Sequence, residues 1–275
     1  MHTDPATPRL LYGTAWKKAA TRSLVAQAIT LGFRAIDTAC QPRHYDEAGV
    51  GAGIADALAA GVARDALYLQ TKFTPLAGQD PQGLPYDAAA PLADQVAQSC
   101  ATSLRNLRTT HLDALVLHSP LPTLSQTLEA WRAMEARVEA GEVRRLGLSN
   151  CPDLTMLRAV HDAARIKPSV LQNRFHDKTG YDRELRAYCH AQGIVYQGFW
   201  TLTANPHRLA HPTVQGLARR HGRTPAQVFF RYLTQRDVVP LTGTTSAAHM
   251  QEDLAIFDFA LDPDELNEVD HCLQA

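Results

Sequence analysis

The chain is poor in the features that mark disulfide scaffolds, zinc ribbons and secreted proteins. Its 275 residues hold five dispersed cysteines and no C-x-x-C pair: Cys40, Cys100, Cys151, Cys189 and Cys272. Residues 1–5 show neither the basic nor the apolar stretch of a signal peptide. An odd set of scattered cysteines without such a signal favours free thiols in a reducing compartment. We therefore expect a cytoplasmic protein.

Neither sign of charge dominates, and long apolar runs are missing. Lys and Arg number 27 against 28 Asp and Glu, for a formal net charge of −1. This balance offers no basic surface for a nucleic-acid backbone and no block of like charge. No apolar run reaches the length of about 18 residues that spans a membrane. We expect neither nucleic acid nor a membrane as partner, and the sequence carries no indication of an oligomeric state.

Strand-like and helix-like runs alternate along the whole chain. About eight short apolar runs, such as residues 114–118, are separated by amphipathic stretches such as residues 92–107. Continuous apolar runs are typical of parallel strands buried on both faces. This repetition predicts an α/β fold, a single-domain (β/α)8 TIM barrel over residues 1–275. An open doubly wound sheet would need a glycine-rich loop directly after an early strand, and the glycines of residues 49–53 lack that setting.

The active site of such a barrel lies where its strands end. Asp37, Lys72 and His118 follow successive apolar runs, and each alone has a structural explanation as a cap, a solvated strand end or a core histidine. Their joint occurrence is harder to explain in that way. A buried lysine needs a partner, and Asp37 is the available one.

Tyr45, eight residues after Asp37, supplies a candidate proton donor. A phenol has a pKa of about 10, and a nearby ammonium lowers it. We therefore expect the Lys72–Asp37 pair to tune Tyr45 as a general acid and base, while His118 orients a substrate oxygen. No histidine is paired with a Ser or Cys nucleophile, and no H-x-H or H-E-x-x-H pattern occurs, so we predict no metal.

The order Asp37, Tyr45, Lys72 and His118 resembles the catalytic tetrad of the aldo-keto reductases. Further segments extend the resemblance over almost the whole chain, namely residues 13–16, 32–39, 71–72, 117–118, 141–150 and 171–173. The resemblance implies a (β/α)8 barrel that transfers hydride between a nicotinamide and the carbonyl carbon of an aldehyde or ketone. It implies Tyr45 as acid in reduction and base in oxidation, with Lys72 lowering its pKa.

The resemblance also implies a cofactor site. Ser149, Asn150 and Gln172 match residues that hold the carboxamide, and Phe199 stands where a tyrosine usually stacks on the nicotinamide. The implied cofactor-binding residues are Gly13, Thr14, Asp37, Ser149, Asn150, Gln172, Phe199, Trp200, Thr201, Leu202, Gly243, Thr244, Thr245, His249 and Asp253.

The identity of the cofactor depends on the 2′-phosphate. Many members of the family bind it with a Lys-Ser pair and an Arg, whereas residues 241–253 contain neither Lys nor Arg, and His249 takes the Arg position. Family frequency favours NADP(H). The missing cations keep NAD(H) as the alternative, because charge-assisted hydrogen bonds are the strong ones.

The expected substrate pocket depends on three aromatic residues, on an insertion before Tyr45 and on the length of the chain after Phe259. Trp16, Phe73 and Trp200 are predicted to line it, which favours an apolar or aromatic carbonyl, although Trp200 can equally be a packing residue. The family usually spaces its Asp and Tyr five apart, so residues 41–43 form an insertion between Asp37 and Tyr45. Sixteen residues follow Phe259, enough for one terminal helix, and we expect an open mouth.

Other interpretations lead to different functions. A cofactor-binding regulatory or redox-sensing protein with little turnover uses the same barrel, and a metal-dependent barrel hydrolase is a third hypothesis. Cys40 near the predicted site is either an oxidation switch or a small packing residue.

Overall fold

The computed structural model describes residues 8–274, and in them eight parallel strands close into one barrel in chain order. Strand β8 returns to β1 through the pairs Leu11↔Leu241 and Tyr12↔Thr242. This closure confirms the predicted (β/α)8 barrel. The predicted single domain also includes residues 1–7 and 275, which lie outside the described residues. Residues 1–5, for which no signal peptide is predicted, lie outside them as well. The strands are Leu11–Gly13 (β1), Ala35–Asp37 (β2), Tyr68–Phe73 (β3), Ala114–Leu117 (β4), Leu146–Ser149 (β5), Val170–Arg174 (β6), Val195–Phe199 (β7) and Val238–Thr242 (β8).

Helices connect the strands and form the outer layer. They are Thr21–Leu31 (α1), Glu47–Ala59 (α2), Leu92–Leu107 (α3), Leu124–Glu139 (α4), Leu154–Ala163 (α5), Arg183–Gln192 (α6), Pro206–Leu209 (α7), Pro212–His221 (α8), Pro225–Gln235 (α9), Ala247–Leu254 (α10) and Pro263–Gln274 (α11). None of the helices within residues 8–274 combines the length and the apolar character needed to cross a bilayer.

Local sequence explains where helices begin and end. The Asp153 side chain accepts a hydrogen bond from the Thr155 amide and so caps α5. Thr224 and Gln227 form a reciprocal capping box at the start of α9. Helix α1 ends at Gly32, whose φ of 127° is a conformation that favours glycine.

Strand alternation divides the barrel into an outer and an inner face. Outward side chains such as Leu115 and Leu117 join the main core under the helices. The inner face is layered along the barrel axis. A small apolar cluster of Leu11, Ala35, Tyr68 and Ala114 lies at the amino ends of the strands. Polar and ionisable side chains occupy the carboxyl ends, and these form the candidate site.

Candidate active site

A buried ion pair lies at the centre of the site. Lys72 Nζ is 2.8 Å from Asp37 Oδ1 and 2.7 Å from Asp37 Oδ2, and it also donates to the Thr38 carbonyl at 2.9 Å. Both side chains are only 1% exposed. Burial lowers the pKa of Lys72, and the attraction of Asp37 opposes that shift. The predicted pairing of Asp37 with Lys72 is therefore present.

Three glutamines support this pair from inside the barrel. Gln70 and Gln172 donate through Nε2 to Asp37 Oδ1 at 2.7 Å and 3.0 Å. Gln197 Oε1 accepts from the same two amides at 2.8 Å and 2.9 Å. These hydrogen bonds hold the Asp37 carboxylate in one orientation. Neither Gln70 nor Gln197 is among the predicted site residues, although Gln70 lies two residues before Lys72 and so faces the same side of β3.

Tyr45 and His118 lie beside the ion pair. Lys72 Nζ is 5.5 Å from the centre of the Tyr45 ring, and the Tyr45 and His118 rings meet edge to face with centroids 6.2 Å apart. His118 Nδ1 is 2.6 Å from Thr74 Oγ1. Burial, together with Lys72 and His44, lowers the pKa of His118 to about 3. The imidazole is therefore neutral at physiological pH and can offer one N–H to a substrate oxygen.

The pKa of Tyr45 departs from the sequence-based expectation. The sequence predicts that Lys72 lowers it, but burial of the ring and the negative charge of Asp37 raise this pKa above the ordinary value. The physical reason is that Asp37 neutralises the Lys72 charge at close range, which leaves desolvation of the phenolate dominant. Tyr45 is therefore a protonated phenol, which is the state required of an acid.

The residues implied for the carboxamide come together at the ends of β5 and β6. Ser149 Oγ donates to the backbone carbonyl of Gln172 at 2.7 Å, and the backbone N–H of Asn150 donates to the same oxygen at 3.1 Å. Asn150 Nδ2 reaches the His118 carbonyl at 2.8 Å. Thr14 joins from β1, where its amide and its hydroxyl both donate to the Asp37 carbonyl at 3.0 Å. Gly13 has a packing reason, since a Cβ there would lie 2.8 Å from Leu241 Cδ2.

The segment after β8 holds the remaining implied cofactor residues and one cation that sequence analysis missed. Gly243, Thr245 and His249 are exposed, and Tyr12 donates to the Thr244 carbonyl at 3.0 Å. Lys17, 6% exposed, donates to the Gly243 carbonyl at 2.8 Å. Burial lowers its pKa to about 8. The fold thus brings a lysine from the β1 loop to a segment that has none of its own.

Asp253 points away from the exposed part of this segment. Its carboxylate accepts a hydrogen bond from Thr242 Oγ1 at 2.7 Å and is 4% exposed. Burial raises its pKa to about 6. The structure therefore gives Asp253 a contact with the end of β8 rather than an open position for a ligand.

Two exposed tryptophans stand at the carboxyl ends of β1 and β7. Trp16 is 61% and Trp200 is 51% exposed, and both adopt left-handed backbone conformations with φ of 64° and 56°. Such conformations are uncommon for large side chains and concentrate at functional sites. Phe199 ends β7, while Thr201 is buried and Leu202 packs against the core.

The prediction that Phe73 lines the pocket does not fit the structure. Its side chain is fully buried, and its ring packs against Tyr86 with centroids 5.7 Å apart. Alternation along β3 explains the difference, because Phe73 faces outward when its neighbour Lys72 faces inward.

The insertion before Tyr45 ties two loops together. Gln41 Nε2 donates to the Gly78 carbonyl at 2.6 Å, and Gln41 Oε1 lies 2.9 Å from His44 Nδ1. The His44 ring packs against Trp16 in a tilted arrangement, with centroids 4.0 Å apart. The longer spacing between Asp37 and Tyr45 therefore builds a fixed wall beside Trp16, with Tyr45 still next to Lys72.

Outside the cluster around Lys72, the described residues offer little support for a second functional site. Cys40 is 2% exposed, and burial raises the pKa of its thiol, which supports the packing interpretation. A cavity of about 700 Å³ lies at the amino ends of β7 and β8, bordered by Arg186, Val195 and Val238, far along the barrel axis from Tyr45. Residues 8–274 contain no group of three or more His, Cys, Asp or Glu side chains that could hold a metal.

Comparisons with known proteins agree with this geometry. The family model described as "Aldo/keto reductase family" matches residues 11–274. An aldo-keto reductase of Mycolicibacterium paratuberculosis is 32% identical over 250 residues, covering 91% of this chain and 80% of the relative. An uncharacterized oxidoreductase of Bacillus subtilis is 30% identical over 247 residues, covering 90% and 81%.

Solved structures show the same likeness. An aldo-keto reductase from a Medee basin deep-sea metagenome library superposes with a TM-score of 0.83 at 25% identity, covering 97% of this chain and 91% of the other. A Bombyx mori aldo-keto reductase in complex with NADP gives 0.82 at 27% identity, covering 97% and 89%.

Fold and comparisons together define the protein as a (β/α)8-barrel oxidoreductase. The chain belongs to the aldo/keto reductase family, whose members are NAD(P)-dependent oxidoreductases.

Proposed function

We propose that the protein is an NAD(P)H-dependent reductase that transfers hydride between nicotinamide and the carbonyl of an aldehyde or ketone. The observation that carries the proposal is the Lys72–Asp37 ion pair, 1% exposed on both sides and lying next to Tyr45 and His118. A buried lysine–carboxylate pair is expensive to desolvate, and it is found here beside two proton-handling side chains.

The side chains divide the work of carbonyl reduction. When bound, a reduced nicotinamide would supply the hydride. The neutral His118 donates a hydrogen bond that orients the carbonyl oxygen, and Tyr45 donates the proton to that oxygen. The Lys72 ammonium, 5.5 Å from the ring centre, attracts the phenolate that forms and offsets part of the cost of its burial. Asp37 and its glutamine partners hold Lys72 in place throughout.

The residues present fit a nicotinamide dinucleotide. Ser149, Asn150 and Gln172 are already joined by hydrogen bonds, and the two amide side chains bring oxygen acceptors for a carboxamide. The buried Thr201 hydroxyl has no hydrogen-bond partner within residues 8–274. Lys17 at Gly243 supplies a positive charge for a phosphate.

The Bombyx mori relative with bound NADP favours NADP(H) for this chain as well. NAD(H) remains the alternative, because residues 241–253 provide only His249 at the position where relatives with the 2′-phosphate site carry an Arg.

The test is a titration of the protein with NADPH and with NADH, followed by a panel of aldehydes and ketones read by loss of reduced-nicotinamide absorbance. In the same assay Tyr45→Phe should keep its cofactor Kd and lose about 100-fold or more in kcat. Tyr188→Phe, which alters a partly exposed phenol on α6, is the matched control and should keep full activity.

Two results would contradict the proposal. Absence of both cofactor binding and turnover would rule out a reductase, and a fully active Tyr45→Phe would remove Tyr45 from its role. Tight cofactor binding without any turnover would instead support the regulatory interpretation.

A further inference from the structure

We propose that Arg174 is an anion-binding residue at the mouth of the barrel and that the substrates of the proposed reductase are carbonyl compounds bearing a carboxylate. The inference rests on the proposed function and adds a substrate class to it. It is drawn from the position of Arg174, from its lack of a carboxylate partner within residues 8–274 and from its contact with Trp200.

The position of Arg174 follows from strand alternation. Arg174 is the last residue of β6 and lies two residues after Gln172, whose amide reaches Asp37 inside the barrel. Residues two apart on a strand face the same side, so Arg174 also belongs to the inner face. Two residues advance about 6–7 Å, which places Arg174 one layer above the catalytic ion pair and at the rim of the mouth.

The register of the sheet brings Arg174 next to the expected nicotinamide position. Arg174 pairs with Phe199 at the end of β7, and Phe199 shares the inner face with Gln197. A substrate carbonyl held by Tyr45 and His118 would therefore share the mouth with Arg174, so that a carboxylate elsewhere on the substrate can approach the guanidinium.

Arg174 carries a charge without a counter-charge. It is exposed, and within residues 8–274 no carboxylate lies at salt-bridge distance from its guanidinium. Asp37 is fully engaged by Lys72, and the nearby Asp177 lies 3.8 Å from His207 instead. Arginines in this state bind carboxylates well, because the planar guanidinium offers two parallel N–H donors.

Trp200 holds the guanidinium at the mouth. The Arg174 guanidinium carbon lies 4.2 Å from the centre of the Trp200 ring. Stacking on an aromatic face leaves the edge N–H donors of the guanidinium free while it restricts the side chain to fewer rotamers. The left-handed backbone of Trp200, with φ of 56°, orients the indole for this contact. Arg174 is thereby preorganised for a ligand.

The anion can come from two sources, a substrate carboxylate or a cofactor phosphate. A phosphate has a separate cation further round the rim, where Lys17 from the β1 loop lies against Gly243 after β8, two strands from β6. Arg174 is at β6, paired with Phe199 of β7, and so lies at a different point of the rim from that cation. The geometry therefore favours the substrate.

The experiment compares aldehydes that differ only in charge. Benzaldehyde, 3-carboxybenzaldehyde, 4-carboxybenzaldehyde and the two methyl esters are assayed with wild type, Arg174→Gln and Arg174→Lys. The two positional isomers sample different distances between the carbonyl and the carboxylate. Arg219→Gln, which removes an exposed arginine from α8, is the matched control.

We expect wild type to prefer at least one carboxylate over its ester. Arg174→Gln should lower kcat/KM for that acid about ten-fold or more and leave kcat/KM for the ester and the KM of the cofactor unchanged. Arg174→Lys should retain part of the preference, because it keeps the charge and loses the second donor. Arg219→Gln should change none of these values.

Three results would overturn the inference: no preference of wild type for either acid, an equal loss on acid and ester in Arg174→Gln, or a raised KM of the cofactor alone. The last result would assign Arg174 to a cofactor phosphate. Turnover of benzaldehyde and the esters separates this failure from a failure of the proposed function, since a reductase without an anion site still reduces the neutral aldehydes.

Discussion

The hydroxyl of Thr74 pairs with one ring nitrogen of His118, so the direction of this hydrogen bond is coupled to the tautomer of the ring. The 2.6 Å contact joins Thr74 Oγ1 to His118 Nδ1, and the low pKa of His118 keeps the ring neutral. If the hydroxyl donates, Nδ1 is an acceptor and the proton resides on Nε2, which is then the donor for a substrate oxygen. Thr74 is in this sense a positioning residue that acts through His118.

We expect Thr74→Val to lower kcat about ten-fold while the cofactor Kd stays unchanged, because removing the partner of a functional histidine releases its tautomer and ring orientation. Thr74→Ser keeps the hydroxyl and should restore most of kcat. Steady-state kinetics and cofactor titration give the two quantities. A Thr74→Val variant with the kcat of wild type would show that the ring is oriented by other contacts.

At the same scale, strand ends were predictable and long-range partners were not. Asp37 and Lys72 each follow an apolar run, so their meeting at the barrel mouth follows from the sequence alone. Lys17 and Gly243 lie 226 residues apart, and nothing local marks them as partners. Gln70 was missed because a glutamine inside a strand gives no signal until the facing of that strand is known. The same alternation would have excluded Phe73.

Secondary-structure elements followed the sequence more closely than single contacts did. Helix α3 spans the amphipathic stretch predicted at residues 92–107, and strand β4 covers four of the five residues of the apolar run at 114–118. Helix α7 was not predicted, since its four residues are too few to show a helical period. Local patterns thus identify elements that bury a whole face and miss single turns.

One buried carboxylate, Glu265, links α11 to α8. Glu265, whose side chain is 4% exposed, lies 2.8 Å from Arg220 Nη1 and 2.9 Å from His221 Nε2. Burial opposes ionisation, but hydrogen bonds from Arg220, the Asp262 backbone and His221 lower the pKa of Glu265 overall. A carboxyl with a lowered folded pKa stabilises the fold above its unfolded pKa of about 4.3. That contribution disappears as the pH falls through the folded pKa.

We expect Glu265→Gln to lower the free energy of unfolding at pH 7 by about 1–3 kcal/mol, because it removes charge-assisted hydrogen bonds from a buried site. The difference from wild type should shrink as the pH falls from about 4.3, the unfolded pKa, through the lower folded pKa of Glu265. Urea unfolding followed by circular dichroism at each pH measures both. Glu268→Gln, on the exposed side of α11, is the control. A difference that does not change with pH would assign the effect to packing.

In the whole molecule, the two ends of the barrel interior differ in polarity, and the alternation of strands and helices made this difference predictable. Apolar side chains fill the amino end of the barrel interior, and the ionisable groups collect at the carboxyl end. The repeat of eight buried strands was sufficient to predict the closed barrel. It could not show how much of the mouth is covered, because that depends on side chains such as Trp16 and Trp200 that stand in unusual backbone conformations.

Tryptophan fluorescence can show whether a ligand covers that mouth, because two of the three tryptophans lie at its rim and the third is buried. Trp16 and Trp200 are 61% and 51% exposed at its rim, whereas Trp131 is fully buried and donates to the Ile166 carbonyl. Acrylamide should therefore quench one accessible and one inaccessible fraction of the fluorescence. Saturating NADP⁺ or NAD⁺ should reduce the accessible fraction, because a dinucleotide lying across the strand ends covers indole surface near Phe199. Trp200→Phe should lose part of the accessible fraction and leave the inaccessible one unchanged.

If neither dinucleotide protected either rim tryptophan, the cofactor would bind away from the carboxyl ends of the strands, and the proposed arrangement of Tyr45, His118 and Arg174 around it would fail.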